Sequence, residues 1–507
     1  MKKYDVIIAG AGHNGLVAAN YLAKAGKKVL ILEAQEQVGG ATQSVKAFED
    51  YEARLSRYSY LIALLPDKIV RDLGLSFTNL SRNISSYSPY EGGGLLVSRQ
   101  WDQRTAESFR ALTGDDKEAT AWQEFYGEIE KFAQRIAPSM LEPLKSSAEL
   151  NTQIAMPQVW DQLIENPIGH VITEKFKNDL VRGVVLTDAL IGTLSSAYGM
   201  QANNCFLYHL IGNGSGEWKV PQGGMGAFVA ELHRVAISNG IEIECSAKVI
   251  DIEADATGVQ ITDINNRKFQ AKHFLSNAAP EFVSHKIDSR NSLEGAQIKI
   301  NMLLKRLPQL KSGIDPKLAF AGTLHLNESF KELERAYDQA AIGNIPDVIP
   351  AEMYCHTLTD TSILSPELVE QGFQTLTLFG MHLPASLFEA NNEAAKLEVK
   401  NKLLNQLNKY LIDPIEECLA IAKDGSLCIE VKSPLDVEAD VALPRGNIFQ
   451  KDLAFPFRAD DSEPSWGVET EFRNIFLCGA GAIRGGGVSG IPGHNAALAV
   501  LESKISK

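Results

Sequence analysis

The chain has 507 residues, 45% of them hydrophobic and 22% charged, an ordinary balance for a globular protein with a large core and material for about two to four domains. Its net charge of −14 and pI near 5.3 argue against nucleic-acid binding and against a membrane anchor built on basic residues, though not against docking through an apolar patch. The N-terminus runs from Met1-Lys2-Lys3 straight into an apolar strand, and no apolar run reaches the ~18 residues that span a bilayer, so a cytoplasmic protein is expected, with peripheral membrane contact left open.

Residues 4–9 form a short apolar run that reads as a buried parallel strand. Gly10, Gly12 and Gly15 follow as G-x-G-x-x-G, residues 16–25 read as a helix stopped by Gly26, and residues 28–32 read as a second strand with Glu33 at its end. Gly10 permits the tight turn, Gly12 lets a pyrophosphate approach the backbone, and Gly15 lets helix and strand pack closely. The helix N-terminus offers unpaired N–H groups to phosphates, and Glu33 can accept hydrogen bonds from a ribose diol. Strand, glycines, helix, strand and acid in this order predict a dinucleotide-binding Rossmann unit. Gly39, Gly40, Ala41 and Thr42 come next, and an acid followed by a Gly-Gly pair resembles the extended FAD fingerprint of the glutathione-reductase-like flavoproteins. FAD is therefore expected over NAD, with Gly39, Gly40 and Thr42 beside it.

Arg54, Arg57, Tyr58, Ser59 and Tyr60 lead out of this unit toward a helix near residues 65–73, and residues 95–97 read as a strand. From about 105 to 210 the apolar spacing is helical, notably over 118–136 with Pro138 closing it. After Trp218-Lys219-Val220-Pro221-Gln222-Gly223-Gly224 come a helix over 227–238, a strand over 241–245 and a small β-meander ending near Ala278. The runs at 298–304 and 374–380 suit central strands. A second glycine-rich strand–loop–helix closes the chain: residues 474–481, then Gly485 to His494, then a helix over 495–501. It can add a second backbone cradle to one cofactor.

The six cysteines, Cys205, Cys245, Cys355, Cys418, Cys428 and Cys478, form no C-x-x-C and no metal-ligand spacing, and residues 43–204 contain none. A redox pair just after the first FAD motif, as disulphide reductases carry, is thereby excluded, and no metal is expected. The single G-x-S-x-G, residues 212–216, is flanked by Trp218 and Pro221 and reads as a turn instead of a nucleophile elbow.

Five segments, AGAGHNGLVAANYLAKAG, YLIALLPDKIVRDLGL, WKVPQGGMGAFVAEL, LPRGNIFQ and GGGVSGIPGHNAA, span nearly the whole chain and resemble the phytoene desaturase-like FAD-dependent oxidoreductases. Within these, the look is that of the subgroup of pyridine nucleotide-disulphide oxidoreductase domain-containing protein 2. The resemblance implies an α/β fold: a glutathione-reductase-like FAD-binding Rossmann domain interleaved with a mixed α+β substrate domain. The expected division is 1–75, 215–290 and 415–507 for the discontinuous FAD domain, and 76–214 and 291–414 for the substrate domain. It implies that Val249 meets the adenine, that Gly479 and Ala480 approach the phosphate–ribityl region, and that Val488, Gly490 and Ile491 lie beside the isoalloxazine. It also implies a hydrophobic, polyene- or isoprenoid-like substrate that is desaturated, saturated or isomerised by hydride transfer to flavin N5, where the protein supplies binding and orientation. His494, Arg484, Arg57 and Tyr58 are within reach of the flavin region, with structural roles the better reading for each; no catalytic acid or base is assigned. Two alternatives stand beside this one: an amine-oxidase-like flavoenzyme, and a non-catalytic FAD-containing partner-binding protein.

Overall fold

Strands in two seven-stranded sheets alternate along the chain, so neither half of the molecule is continuous in sequence. In this computed structural model, which describes residues 2–214, 216–283, 294–463 and 465–503, the order is as follows. It begins with β1 (Lys3–Ala9), α1 (His13–Lys24), β2 (Val29–Leu32), α2 (Asp67–Leu73), β3 (Ile84–Tyr90) and β4 (Gly93–Ser98). A helical block then ends in α3 (Asp179–Thr187) and α4 (Met200–Ile211), before α5 (Met225–Ser238) and β5 (Glu242–Glu244). Next come β6 (Val249–Ala254), β7 (Val259–Asp263), β8 (Lys268–Ser276), β9 (Ile298–Leu304), β10 (Thr323–Leu326), β11 (Ala351–Tyr354) and β12 (Gln374–Gly380). The chain closes with β13 (Ile429–Lys432), β14 (Ile475–Leu477) and α6 (Ile491–Glu502).

The first sheet has the order β6-β7-β8-β1-β2-β5, with β14 joined to the far end of β8. β14, β8, β1, β2 and β5 are parallel, while β6, β7 and β8 form the antiparallel meander that the sequence predicts. β1 and β2 are apolar because the inner strands of this parallel sheet are buried in the core. α1 packs between α5 and α6: Asn20 Nδ2 reaches Leu232 O of α5 at 3.1 Å, and a Cβ at Gly493 of α6 would stand 2.1 Å from Asn14 O. Only glycine allows that approach. The fold is thus an FAD-type Rossmann domain interleaved with a mixed α+β second domain.

The second sheet has the order β13-β9-β12-β11-β10-β3-β4, antiparallel except for β10 beside β3. β9 and β12, the two apolar runs, are indeed central. Residues 429–432, which the sequence reading groups with the nucleotide part of the chain, pair instead with β9 of this sheet. The helical block packs its own core around Phe109, Phe125, Phe132, Phe176 and Phe206. Ser215 of the G-x-S-x-G stretch lies outside the described residues, as does 284–290 of the expected nucleotide segment. Among the described residues no helix is long and apolar enough to cross a membrane.

Candidate functional site

The turn after β1 is the first wall of the site. Gly10 takes φ +97°, a conformation glycine adopts without strain, and Gly12 caps α1 with no side chain bonded to the helix's first N–H groups. Those groups open on a cavity of about 1090 Å³ that runs from Gly10, Gly12 and Glu33, past Val249, to Ala480, Gly487 and Val488 near the other chain end. Two hydrogen bonds tie the two ends together: Asn277 Nδ2 donates to Gly10 O at 3.2 Å, and Gln450 Nε2 to Asn277 O at 3.2 Å. Gly481 N donates in turn to Gln450 Oε1 at 2.9 Å. Asn14 Oδ1, buried in the cavity wall, has no hydrogen-bond partner among the described residues. An unclaimed helix N-terminus, a buried acceptor without a donor and a carboxylate at the end of β2 fit a flavin dinucleotide.

Of the residues expected at the cofactor, Gly10, Gly12, Glu33, Gly40, Val249, Ala480 and Val488 line the cavity. The others do not. Gly15 lies beneath the turn, where a Cβ would stand 2.2 Å from Gly10 O. Gly39 bridges Gly12 from behind, and Thr42 is turned inward, its hydroxyl donating to Gly39 O at 2.8 Å. Gly479 crosses the end of β8, its Cβ position 2.8 Å from Asn277 O. Gly490 (φ +72°) abuts Val17 of α1 and Ile69 of α2, and Ile491 joins the core of the helical block. Gly490 and Ile491, expected beside a bound ring, thus do not line the cavity: the loop has curled into helix packing by residue 490. Arg484 is also structural, its buried guanidinium donating to the carbonyls of Ser139, Glu142 and Trp466. His494 bonds Asn495 Oδ1 at 2.8 Å, and burial lowers its pKa.

The residue that sequence reasoning missed is Lys299. It lies on β9, 3% exposed, and Nζ donates to the carbonyls of Ser56 and Tyr58 while standing 4.6 Å above the Tyr60 ring. Burial pushes its pKa down to about 7, with Glu430 offsetting part of the shift. Lys299 thereby pins the strap of residues 57–60 across the cavity. Arg57 holds the strap's outer side through Glu430 at 2.8 Å, and Tyr58 bonds Asp440. The signal was present in the sequence: Ile-Lys-Ile-Asn-Met-Leu-Leu places Lys299 and Asn301 two apart in a strand buried at every position.

Four histidines, His13 and His209 of the cavity wall together with His273 and His382, have pKa values pushed down to about 4 by burial. Between about 4 and 6.5 the unfolded chain therefore binds more protons at these groups than the folded one, and stability rises with pH. Burial also raises Asp188 to about 6, Glu352 to about 8, and Glu328 and Asp452 as well, which acts in the opposite sense and offsets part of the histidine effect. Urea midpoints should climb from pH ~4.5 to ~6.5 as the four histidines lose their protons in both states, and then fall toward pH ~9, because Glu352 and His325 hold their protons in the folded state up to about 8 and 9. A midpoint that is flat or falls across the first interval would contradict the neutral burial of these rings.

The model of the NAD(P)-binding Rossmann-like domain matches residues 8–64. Over its full length the chain is 40% identical to an uncharacterized protein of Mycobacterium tuberculosis, covering 100% of this chain and 98% of that one. It is 28% identical to pyridine nucleotide-disulfide oxidoreductase domain-containing protein 2 of Mus musculus, covering 98% of this chain and 93% of that one. Among solved structures, wild-type putrescine oxidase bound to putrescine matches with a TM-score of 0.59 at 16% identity, covering 99% of both chains, which shows a common fold.

Proposed function

Since this chain belongs to the phytoene desaturase-like FAD-dependent oxidoreductases, in common with its mycobacterial and mouse relatives, we propose that it holds one FAD non-covalently and acts on C–C bonds of a hydrophobic, polyene- or isoprenoid-like substrate. When bound, FAD supplies two-electron hydride chemistry at N5. Gly10, Gly12 and the start of α1 would hold the pyrophosphate, Glu33 the adenosine ribose, and Ala480, Gly487 and Val488 the other half. The observation that carries the reading is the cavity's continuation beyond Gly487. There it is walled by Leu61, Leu64, Ile191, Phe379, Ile448 and Phe449, which favours an apolar substrate over a charged one.

Amine oxidation is the second reading, and the carboxyl groups buried behind Tyr60 favour it. Against it, Tyr60 and Tyr354 stack face to face at 4.6 Å, which leaves no room for an amine between the rings. The purified protein should be yellow and should release its flavin on acid precipitation. Under anaerobic conditions isoprenoids or polyenes should bleach or reoxidise the flavin, and mono- and diamines should not. A well-folded colourless protein that ignores added FAD would sink the cofactor assignment, and bleaching by amines alone would transfer the function to the second reading.

A further inference from the structure

The second sheet carries one row of side chains that an apolar core does not need. Lys299 on β9, Phe379 on β12, Glu352 on β11 and His325 on β10 are direct cross-strand partners. Opposed residues share a face. The row therefore runs from the cavity wall, where Lys299 and Phe379 stand, into the interior, where Glu352 and His325 are 5% and 7% exposed. A carboxyl and an imidazole buried side by side cost stability unless they are paired.

They are paired with one another and with the helical block. His325 Nδ1 lies 2.5 Å from Glu328 Oε2 and 4.0 Å from Glu352 Oε1. Thr187 at the end of α3 donates to the same Glu328 oxygen at 2.5 Å. Gly183 makes that approach possible, because a Cβ there would meet Glu328 O at 1.8 Å. The other oxygen of Glu352 faces the Tyr60 hydroxyl, 3.4 Å away. Tyr60 lines the cavity, stacked on Tyr354 and tilted against Phe379, with Lys299 over its ring. Asp188 and Arg82 complete the charged groups around Glu352. The cluster is not disposed as a metal site.

Three carboxyls so close in a dry interior cannot all be ionised. Burial raises Glu352 to about 8 and Asp188 to about 6, and raises Glu328 as well. Burial would lower His325, but Glu328 beside it carries the imidazole up to about 9. Near neutral pH the cluster therefore keeps Glu352 protonated next to a cationic His325, one step behind a phenol on the cavity wall.

We propose that Tyr60 exchanges a proton with the molecule in the cavity, and that Glu352, positioned by His325 and Glu328, resupplies it. The inference rests on the reading above that an unsaturated substrate occupies the cavity. In the saturating direction, reduced FAD would supply a hydride to one carbon of a conjugated double bond, whose neighbour would be left with the electron pair. That pair takes the Tyr60 proton: the O–H bond breaks and a C–H bond forms. Glu352 returns a proton to the phenol oxygen, and the carboxylate left behind faces His325 and Arg82. Between turnovers a solvent proton from the emptied cavity returns to Glu352 through the Tyr60 hydroxyl, so the substrate has gained one hydride and one proton. Desaturation follows the same path backwards.

Infrared difference spectra of the holoprotein, taken on the two sides of pH ~8, test the proton store without any substrate. A protonated-carboxyl band should vanish as the pH rises, be missing in Glu352→Gln, and shift in Tyr60→Phe, which a carboxyl without contact to Tyr60 would not do. In a second arm, the dithionite-reduced protein is mixed anaerobically with β-ionone or lycopene in deuterium oxide. The wild-type reoxidation rate should fall as pH rises through about 8, with deuterium entering one carbon. Tyr60→Phe and Glu352→Gln should be slower by about 100-fold, and Glu352→Gln should lose the pH dependence. Absence of a Glu352-dependent band, or equal rates for wild type and Tyr60→Phe, overturns the inference. A wild-type protein inert to both probes counts against the proposed function, while the infrared arm decides the proton store by itself.

Discussion

Gly15→Ala is expected to yield a folded protein that purifies without flavin. A single methyl group placed at this position would stand 2.2 Å from Gly10 O, inside any permissible contact, and the obstacle is backbone that cannot rotate aside. Either α1 moves away from β1 or the turn of residues 10–12 moves into the cavity. Overpacking of this kind costs about 1–3 kcal/mol. The more damaging consequence is positional, because the turn and the N–H groups that follow it are the proposed phosphate cradle. The measurement is the ratio of flavin to protein absorbance after purification, with far-UV circular dichroism and a titration with added FAD. Gly127→Ala is the control: it sits in the helix Lys117–Ile136, its Cβ position is clear to 4 Å, and it should keep full flavin occupancy. A yellow Gly15→Ala with native affinity would mean that this turn does not hold the cofactor.

Glu33→Ala should produce the second-largest loss, and it should do so in two ways. One carboxylate oxygen accepts from Ala11 N at 2.6 Å and the other from Gln35 N at 2.8 Å, so the side chain staples the phosphate turn to the end of β2. Alanine leaves both N–H groups without that acceptor, at about 1–3 kcal/mol for each that water does not reach. The melting temperature of the flavin-free protein should drop accordingly. The charge-assisted contact to the ribose is lost as well, and the FAD dissociation constant should rise tenfold or more. Glu33→Gln keeps one acceptor and should fall between the two on both measures. If the apoprotein melts lower while FAD affinity is untouched, Glu33 is a staple for the turn and not a ribose ligand.

The parts of this fold visible in the sequence are those governed by local chemistry. Glycines at 10, 12 and 15, a β-branched strand before them and an acid at 33 are constraints that neighbours in sequence impose on one another. The central strands at 298–304 and 374–380 were visible because burial on both faces demands unbroken apolar runs. That Gly490 and Ile491 turn away from the cavity was not legible, because a glycine-rich stretch does not say where its loop turns inward. That is decided by Val17 and Ile69, which approach from elements more than 400 residues earlier. Lys299, Glu352 and His325 come from three separate strands, and only sheet register brings them into one row. Each shows in sequence merely as a polar residue inside an apolar strand, which marks a site without naming its partners.

The two chain ends that close one cavity also fix when that cavity can exist. Ala480 and Val488 enter the wall opposite Gly10 and Gly12, about 470 residues earlier. At about 5–20 residues per second on the ribosome, the nascent turn waits roughly 25–95 seconds for its other half. For about the first 265 of those residues β1 also lacks its neighbour β8, and its row of backbone donors is an open edge. A flavin held in this cavity would be captured only once residue 488 has been made, so flavin supply should govern the yield of loaded chains without affecting the rate at which they are made.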